Sequence, residues 1–509
     1  MNRCRNTRLP SRARGKSVGY VDARLNRVVS VAFVVTLTLL GAACKRRVAK
    51  PNCPPFPAIG ITLDATRESY RRSELRRQLR YREAIAPGFT LRATGITADQ
   101  AKIDRNEVCT VDLYETGRIL FEHAFTPAEG APDVRHRVQL GRGGGPETTS
   151  CISCHWRGGP AGAGSVVDNS FLLGDHDRIT SGDARNPPSL AGVGVVQALS
   201  QEMTADLAQL RATAIRTARA SGKTVDVEMI SKGVSFGVVQ VSRDGRMQRG
   251  SLEGIDPDLV VRPFGWKGTA ATLAEFIAES TALHFGIITA ETLASNGNAR
   301  YPLQVAADAL AELSAGQLTA LVVYVATLDV PTVIAPRDAS NRAAYLPDVY
   351  AQGRGLFETV GCANCHLPRM LLNKPVAMIH AATTSGNLQL DLIRDAEPPR
   401  PMPASSGHGY VVELFSDLKR HDLGAEAASL HVHGGIAPRL YLTRPLWGLA
   451  DSAPYFHDGG AVTVDAAIAR HNGEAALARD NWDALSTAER NALRLYLMSL
   501  RRAPRVQNP

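Results

Sequence analysis

Two five-residue runs, Cys151-Ile-Ser-Cys154-His155 and Cys362-Ala-Asn-Cys365-His366, constrain this 509-residue chain more than any other feature. Two thiols three positions apart, followed directly by an imidazole, match the covalent attachment site of c-type haem. The thiols reach the two vinyl groups of one porphyrin, and the adjacent His ligates the iron from the proximal face. A lone Cys-x-x-Cys-His is also compatible with a redox dithiol or with half of a zinc site. Two copies, with no further Cys pair nearby to complete a Cys₄ site, weigh against both. The expectation is two covalently bound c-type haems, one on Cys151, Cys154 and His155, the other on Cys362, Cys365 and His366. Cys53 and Cys109 are suited to a disulfide in an oxidising compartment, but the sequence leaves open whether they meet.

Both runs sit inside a diverged internal repeat. Tyr114-Glu-Thr-Gly117-Arg118-Ile-Leu120-Phe121 precedes the first and Tyr350-Ala-Gln-Gly353-Arg354-Gly-Leu356-Phe357 the second. The shared pattern YxxGRxLF sets Tyr, Leu and Phe on one side of a short helix. Each unit closes with a second helix opened by a capping box, Ser314 to Gln317 before Leu318–Leu328 and Ser486 to Glu489 before Leu493–Leu500. Tyr324 and Tyr496 fall at matching points of these helices. The predicted fold is therefore mainly α: two cytochrome c-like helical domains with a haem each, long loops and a small irregular or β insert. Predicted boundaries are an extension over 45–105, a first haem domain over 106–330, a Pro-containing linker over 331–345 and a second haem domain over 346–503. The β-branched run Gly237-Val-Val-Gln-Val241 suggests a hairpin within the insert at 224–262, and 380–409 reads as a surface loop.

The formal charge of +9 would suggest an acidic partner if it were spread over the chain. It is not. Residues 1–50 hold twelve Lys and Arg against Asp22 alone, which leaves +11 there and about −2 in the rest. The basic stretch leads into the apolar run Val28–Leu40, the length of a secretory signal core rather than of a comfortable membrane span. Gly41-Ala42-Ala43-Cys44 offers small residues for cleavage and also resembles a lipobox that would acylate Cys44. Residues 1–44 are thus expected to be a signal peptide, with export to the periplasm and with or without a lipid anchor. With the charge confined to a leader and aromatic residues at 6%, nucleic acid is not the expected partner.

Further marks extend across about 110–500: Leu190-Ala-Gly-Val193-Gly194, Arg262-Pro-Phe264-Gly265-Trp266-Lys267, Phe415-Ser-Asp417-Leu-Lys-Arg-His421-Asp422, and Leu446-Trp447 through Ala453-Pro454-Tyr455-Phe456-His457-Asp458-Gly459. With the two haem sites, they make the chain similar to the bacterial di-haem oxidoreductases related to di-haem cytochrome c peroxidase and to the tryptophan-modifying enzyme MauG. The resemblance implies that peroxide reacts at the N-terminal haem and that electrons arrive at the C-terminal one. It implies that His176, in Gly174-Asp-His176, is the displaceable distal ligand of the first haem, and that Asn186, in Arg185-Asn186-Pro187, helps to hold a calcium ion. Trp266 corresponds to the Trp between the haems, where it either assists electron transfer or fills the interface. The peroxidase Glu that moves a proton falls near His284, which would act as acid and base, as a sixth ligand, or as neither. The distal ligand of the second haem is expected in the C-terminal block, with Tyr455 and His457 as candidates and Met370, Met378 and Met402 as outsiders. His421, His431 and His433 read as loop and surface histidines.

The leading expectation is a peroxidase-type oxidoreductase that reduces hydrogen peroxide with electrons from a small cytochrome or cupredoxin. The alternatives are MauG-like oxidation of an organic or protein substrate, and a di-haem cytochrome that only carries electrons.

Overall fold

The computed structural model describes residues 53, 96–126, 129, 148–174, 178–248, 250–295, 311–333, 347–379 and 388–502. The leader with Cys44, most of the 45–105 extension, His176 and most of the linker lie outside the described residues. Six helices frame the centre: α1 (Thr110–Glu122), α2 (Val193–Ser221), α3 (Leu273–Phe285), α4 (Ala315–Ala326), α5 (Pro347–Thr359) and α6 (Thr487–Leu497). Capping boxes start α3 at Thr272 and Glu275, α4 at Ser314 and Gln317, and α6 at Ser486 and Glu489. Each box satisfies two backbone N–H groups that the first helical turn would otherwise leave without partners.

Helix α4 is buried on every side from Gly316 to Ala326, as its uniformly apolar sequence requires. Helix α1 crosses it so closely that a Cβ on Gly117 would lie 1.9 Å from the Ala320 carbonyl oxygen. Helix α2 makes the same kind of approach through Gly194, whose Cβ would lie 1.9 Å from the Ala326 oxygen. The second half of the repeat reproduces the first contact between α5 and α6, with Gly353 against the Ala492 oxygen at 2.1 Å. Equivalent rings gather beside each crossing. Tyr114 and Phe121 stand 5.3 and 5.2 Å from Tyr324, and Tyr350 and Phe357 stand 5.4 and 5.6 Å from Tyr496.

The mainly-α expectation does not hold. Among the described residues helix accounts for 39% and strand for 17%, with ten α-helices and several small sheets, so the class is mixed. The insert contributes β1 (Val225–Ser231), β2 (Val234–Val241) and β3 (Met247–Gln248), an antiparallel sheet with a bulge between Glu228 and Ile230. The remaining strands are two to four residues long, too short to carry a readable period-two pattern. Part of the segment read as a loop is also strand: Leu388–Asp391 pairs with Val376–Ile379, and Met402–Pro403 with Tyr410–Val411. Cys53 and Cys109 are joined in a disulfide, with Cα atoms 5.4 Å apart. Among the described residues no helix is long and apolar enough to cross a membrane.

The crossings can be tested by adding one methyl group. Gly117→Ala and Gly353→Ala force backbone apart and should each cost about 1–3 kcal/mol of stability. Gly355, on the same helix as Gly353, has nothing within 4 Å of an added Cβ. Gly355→Ala should therefore stabilise by about 0.5–1 kcal/mol through helix propensity. Denaturant unfolding followed by circular dichroism separates the two classes; equal stability of all three variants would contradict the crossings.

Candidate haem-binding cavity

A cavity of about 720 Å³ is lined by both Cys-x-x-Cys-His runs, with Cys151, Cys154 and His155 on one part of its wall and Cys362, Cys365 and His366 on another. Each run forms a single 3₁₀ turn, Cys151–Ser153 and Cys362–Asn364, directly before the second cysteine and the imidazole. None of these four cysteines is in a disulfide. Burial pushes the Cys151 thiol up to about 12 and the Cys362 thiol up to about 11, which keeps both protonated.

The two histidines are held alike. His155 Nδ1 lies 3.1 Å from the Gly162 carbonyl oxygen and 3.0 Å from that of Pro188. His366 Nδ1 lies 3.1 Å from the Phe415 carbonyl oxygen. A carbonyl only accepts, so Nδ1 carries the proton in both rings and Nε2 keeps its lone pair for a metal. Burial pushes His155 down to about 4, with the Gly162 carbonyl opposing the shift and His284 adding to it. Burial likewise pushes His366 down to about 4, with His471 adding to the shift. Neutral imidazoles are what iron ligation requires. Phe415 aims its carbonyl from a left-handed backbone, φ 57°, that a bulky residue rarely adopts.

The ring that stands against His366 is His471, at 6.4 Å between centroids. His471 Nδ1 donates to the Ala467 carbonyl oxygen at 2.8 Å, so its Nε2 also keeps a lone pair. Sequence reading missed this residue. It is one of thirteen histidines, sits just after the short helix Val464–Ala469, and carries no motif of its own. Tyr455 and His457 line the cavity, but His457 is stacked on Tyr441 at 4.3 Å, with Nε2 3.1 Å from the Ala427 carbonyl oxygen. Of the outsider methionines, Met370 is buried in the main core and Met402 is largely exposed on its short strand.

His284 lines the wall near the first site, in the last turn of α3, with its carbonyl accepting from Thr148 N–H. Trp266 shares this cavity. Its Nε1–H donates to the Asn186 carbonyl oxygen at 2.8 Å, and its own carbonyl accepts from Leu442 N–H. Asn186 is buried, and its side-chain amide donates to Ser165 O and Asn169 Oδ1, both at 2.9 Å.

Two histidines read as surface groups are not. His433 is buried, with Nε2 2.7 Å from Asp183 Oδ2 and 3.0 Å from the Arg185 guanidinium. His421 bridges Asp417 Oδ2 at 2.7 Å and Glu474 Oε2 at 2.6 Å. Asp183 lies far upstream of His433 and Glu474 far downstream of His421; only Asp417, four residues before His421, is a local partner. Lys267 belongs to the same buried network. Its ammonium lies 3.5 Å over the Tyr441 ring, and burial, assisted by Arg185, pushes it down to about 7.

The wall fits haem. It offers two thiols and a neutral imidazole at each of two sites, apolar surface between them, and further imidazoles, His284 and His471 among them. Comparison with curated proteins finds no match. Among solved structures the chain is similar to a chain of Kuenenia stuttgartiensis hydrazine synthase, pressurised with xenon, at 16% identity, over 76% of this chain and 87% of that one, with a TM-score of 0.34. That likeness is too loose to bear on activity. The family described as "Di-haem oxidoreductase, putative peroxidase" matches residues 182–500, which include the second Cys-x-x-Cys-His run and end at the C-terminus of the described fold. The first run lies upstream of the matched segment and stands on its own spacing and geometry. By this match over more than half its length, the chain belongs to the di-haem oxidoreductase family.

Proposed function

We propose that this chain is an exported c-type di-haem oxidoreductase of the peroxidase type. Electrons from a small donor protein arrive at the site of Cys362, Cys365 and His366, and hydrogen peroxide is reduced at the site of Cys151, Cys154 and His155. Each peroxide takes up two electrons and two protons and leaves as two waters. The observation that carries this reading is the pair of Cys-x-x-Cys-His runs on one cavity wall, each with its imidazole held by a backbone carbonyl through Nδ1. His471 stands 6.4 Å from His366 and is suited to a second ligand there, while His284, on the wall near the first site, is suited to acid–base work on a substrate.

The haems, when bound, supply the iron redox chemistry and the centre at which the O–O bond breaks. The chain's own residues do the rest. The Gly162, Pro188 and Phe415 carbonyls fix the proximal rings and raise their basicity as ligands. His471 would serve as a further ligand at the second site, the role considered for Tyr455 and His457. Trp266, locked by Asn186 and Leu442, lends a polarisable ring to electron passage between the sites. His284 accepts and returns the proton that the peroxidases handle with Glu, a task to which an imidazole is suited. The Cys53–Cys109 disulfide supports an oxidising, extracytoplasmic location.

Mixing hydrogen peroxide with haem-loaded protein poised half-reduced should cause rapid loss of the reduced-haem absorption bands. No reaction, with both irons six-coordinate, would leave an electron carrier as the better account. His284→Ala should lower steady-state peroxide turnover by about 10²- to 10⁴-fold, the usual reach of general acid–base catalysis. His471→Ala should convert only the second haem from low-spin to high-spin or water-ligated iron, read by electron paramagnetic resonance; an unchanged spectrum removes His471 from the ligand set.

A further inference from the structure

Four Lys and Arg side chains line the cavity: Arg185, Lys267, Arg444 and Arg479. Three are engaged by the protein. Arg185 donates to Ser429 Oγ and to the Ala184 carbonyl oxygen, both at 2.7 Å. Lys267 donates to the carbonyls of Ala437 and Pro438. Arg479 pairs with Asp480 at 2.7 Å and with Asn472. Arg444 differs: among the described residues no carboxylate, carbonyl or hydroxyl accepts from its guanidinium. Its contact is the Trp266 ring, 5.3 Å from the guanidinium carbon.

The backbone around Arg444 is pinned, so the side chain is not there by slack. Leu442 N–H donates to the Trp266 carbonyl, Thr443 N–H to that of Lys419, and Leu446 N–H to that of Leu414. Ser416 Oγ donates to the Thr443 carbonyl at 2.7 Å. The Leu414–Ser416 stretch that anchors this strand also carries the Phe415 carbonyl that holds His366. Arg444 is thus tied on one side to the second proximal histidine and on the other to Trp266. The residue is half-buried on the cavity wall, and burial pushes its guanidinium down to about 10 with no acid to oppose the shift.

An aromatic face attracts a guanidinium but leaves its five N–H donors unspent. A planar fork of donors in a partly closed cavity is suited to a carboxylate, which it can meet through two parallel hydrogen bonds. We propose that Arg444 is the anchor for a haem propionate, and that the pair so formed, lying against Trp266, holds up the reduction potential of that haem. The proposal rests on the haem reading of the cavity given above. A cation beside a propionate offsets its negative charge at the iron. Ferrous iron, which carries one positive charge fewer than ferric, is favoured as a result.

The test uses the full-length, haem-loaded protein and begins with a pyridine haemochrome count of covalently bound haem. Fewer than two haems per chain withdraws the reading of the cavity, and the proposal with it. With two haems present, spectroelectrochemical titration of Arg444→Gln should show one midpoint shifted downward and the other unchanged. Arg444→Lys, which keeps the charge, should restore most of that shift. Resonance Raman should show displaced propionate bending bands in Arg444→Gln on the same haem. If both midpoints and the propionate bands match those of the parent, the proposal is overturned. It is equally overturned if Arg444→Gln leaves them unchanged yet abolishes a spectral response to added acetate that the parent shows. The guanidinium would then serve an external carboxylate.

Discussion

The close crossing of α1 over α4, repeated by α5 over α6, is the constraint on which the cavity depends. A glycine at each crossing lets one helix lie on the other's backbone, with the Ala320 and Ala492 carbonyls where a side chain would otherwise be. Only at that separation do Tyr324 and Tyr496 reach the aromatic rings of the opposing helix. The same rings then set the haem sites. Phe121 stands 6.3 Å from His155, and Phe357 stands 5.8 Å from Phe415, whose carbonyl orients His366. A widened crossing would disturb the cysteine turns and the proximal histidines together, because Cys151 and Cys362 pack against the same two cores. The repeat is thus a packing device first, and it acts on chemistry through two aromatic side chains.

Features of the site that depend on local spacing were legible in the sequence. The Cys-x-x-Cys-His runs, the Gly and aromatic positions of YxxGRxLF and the capping boxes at Ser314 and Ser486 all act within one or two helical turns, so their pattern survives without knowledge of the fold. What was not legible depends on long-range meeting. His471 acquires its significance only when the helix Val464–Ala469 turns it against His366, over a hundred residues earlier in the chain. His433 seemed a surface residue because Asp183, its carboxylate partner, comes from far upstream. The strand content was missed for a different reason. Ladders of two or three residues, such as Ser170–Leu172 with Asp183–Arg185, are shorter than the window in which alternation can be recognised.

The electrostatics of the cavity follow from desolvation more than from ion pairing. His155, His366 and His471 are all held below the ordinary histidine value, with burial as the leading cause in each. Each gives Nδ1–H to a backbone carbonyl, so three neutral rings offer Nε2 without competition from a carboxylate. Next to them lies a network with the opposite character. Asp183 accepts from His433 and from the backbone N–H groups of Leu430 and His431, while Arg185, Tyr441 and Ser429 close the circuit. That network ties the segment before Asn186 to the loop around His433, and Asn186 in turn fixes Trp266. The charges of this network are satisfied within it, although Arg185 and His433 also reach the cavity wall.

This arrangement explains how two nearly identical attachment sites can differ in reactivity. Their proximal halves are the same: a 3₁₀ turn, two cysteines, and an imidazole bound to a carbonyl. The His366 and His471 rings stand 6.4 Å apart with their Nδ1 atoms turned to backbone carbonyls, so both would be able to hold an iron through Nε2. His284 reaches the wall near the first site from the last turn of α3, which Gly286 ends in a left-handed conformation, φ 76°. The two sites therefore differ in the elements that face their histidines, a short helix that brings His471 against His366 and the longer α3 that brings His284 to the wall near the first site.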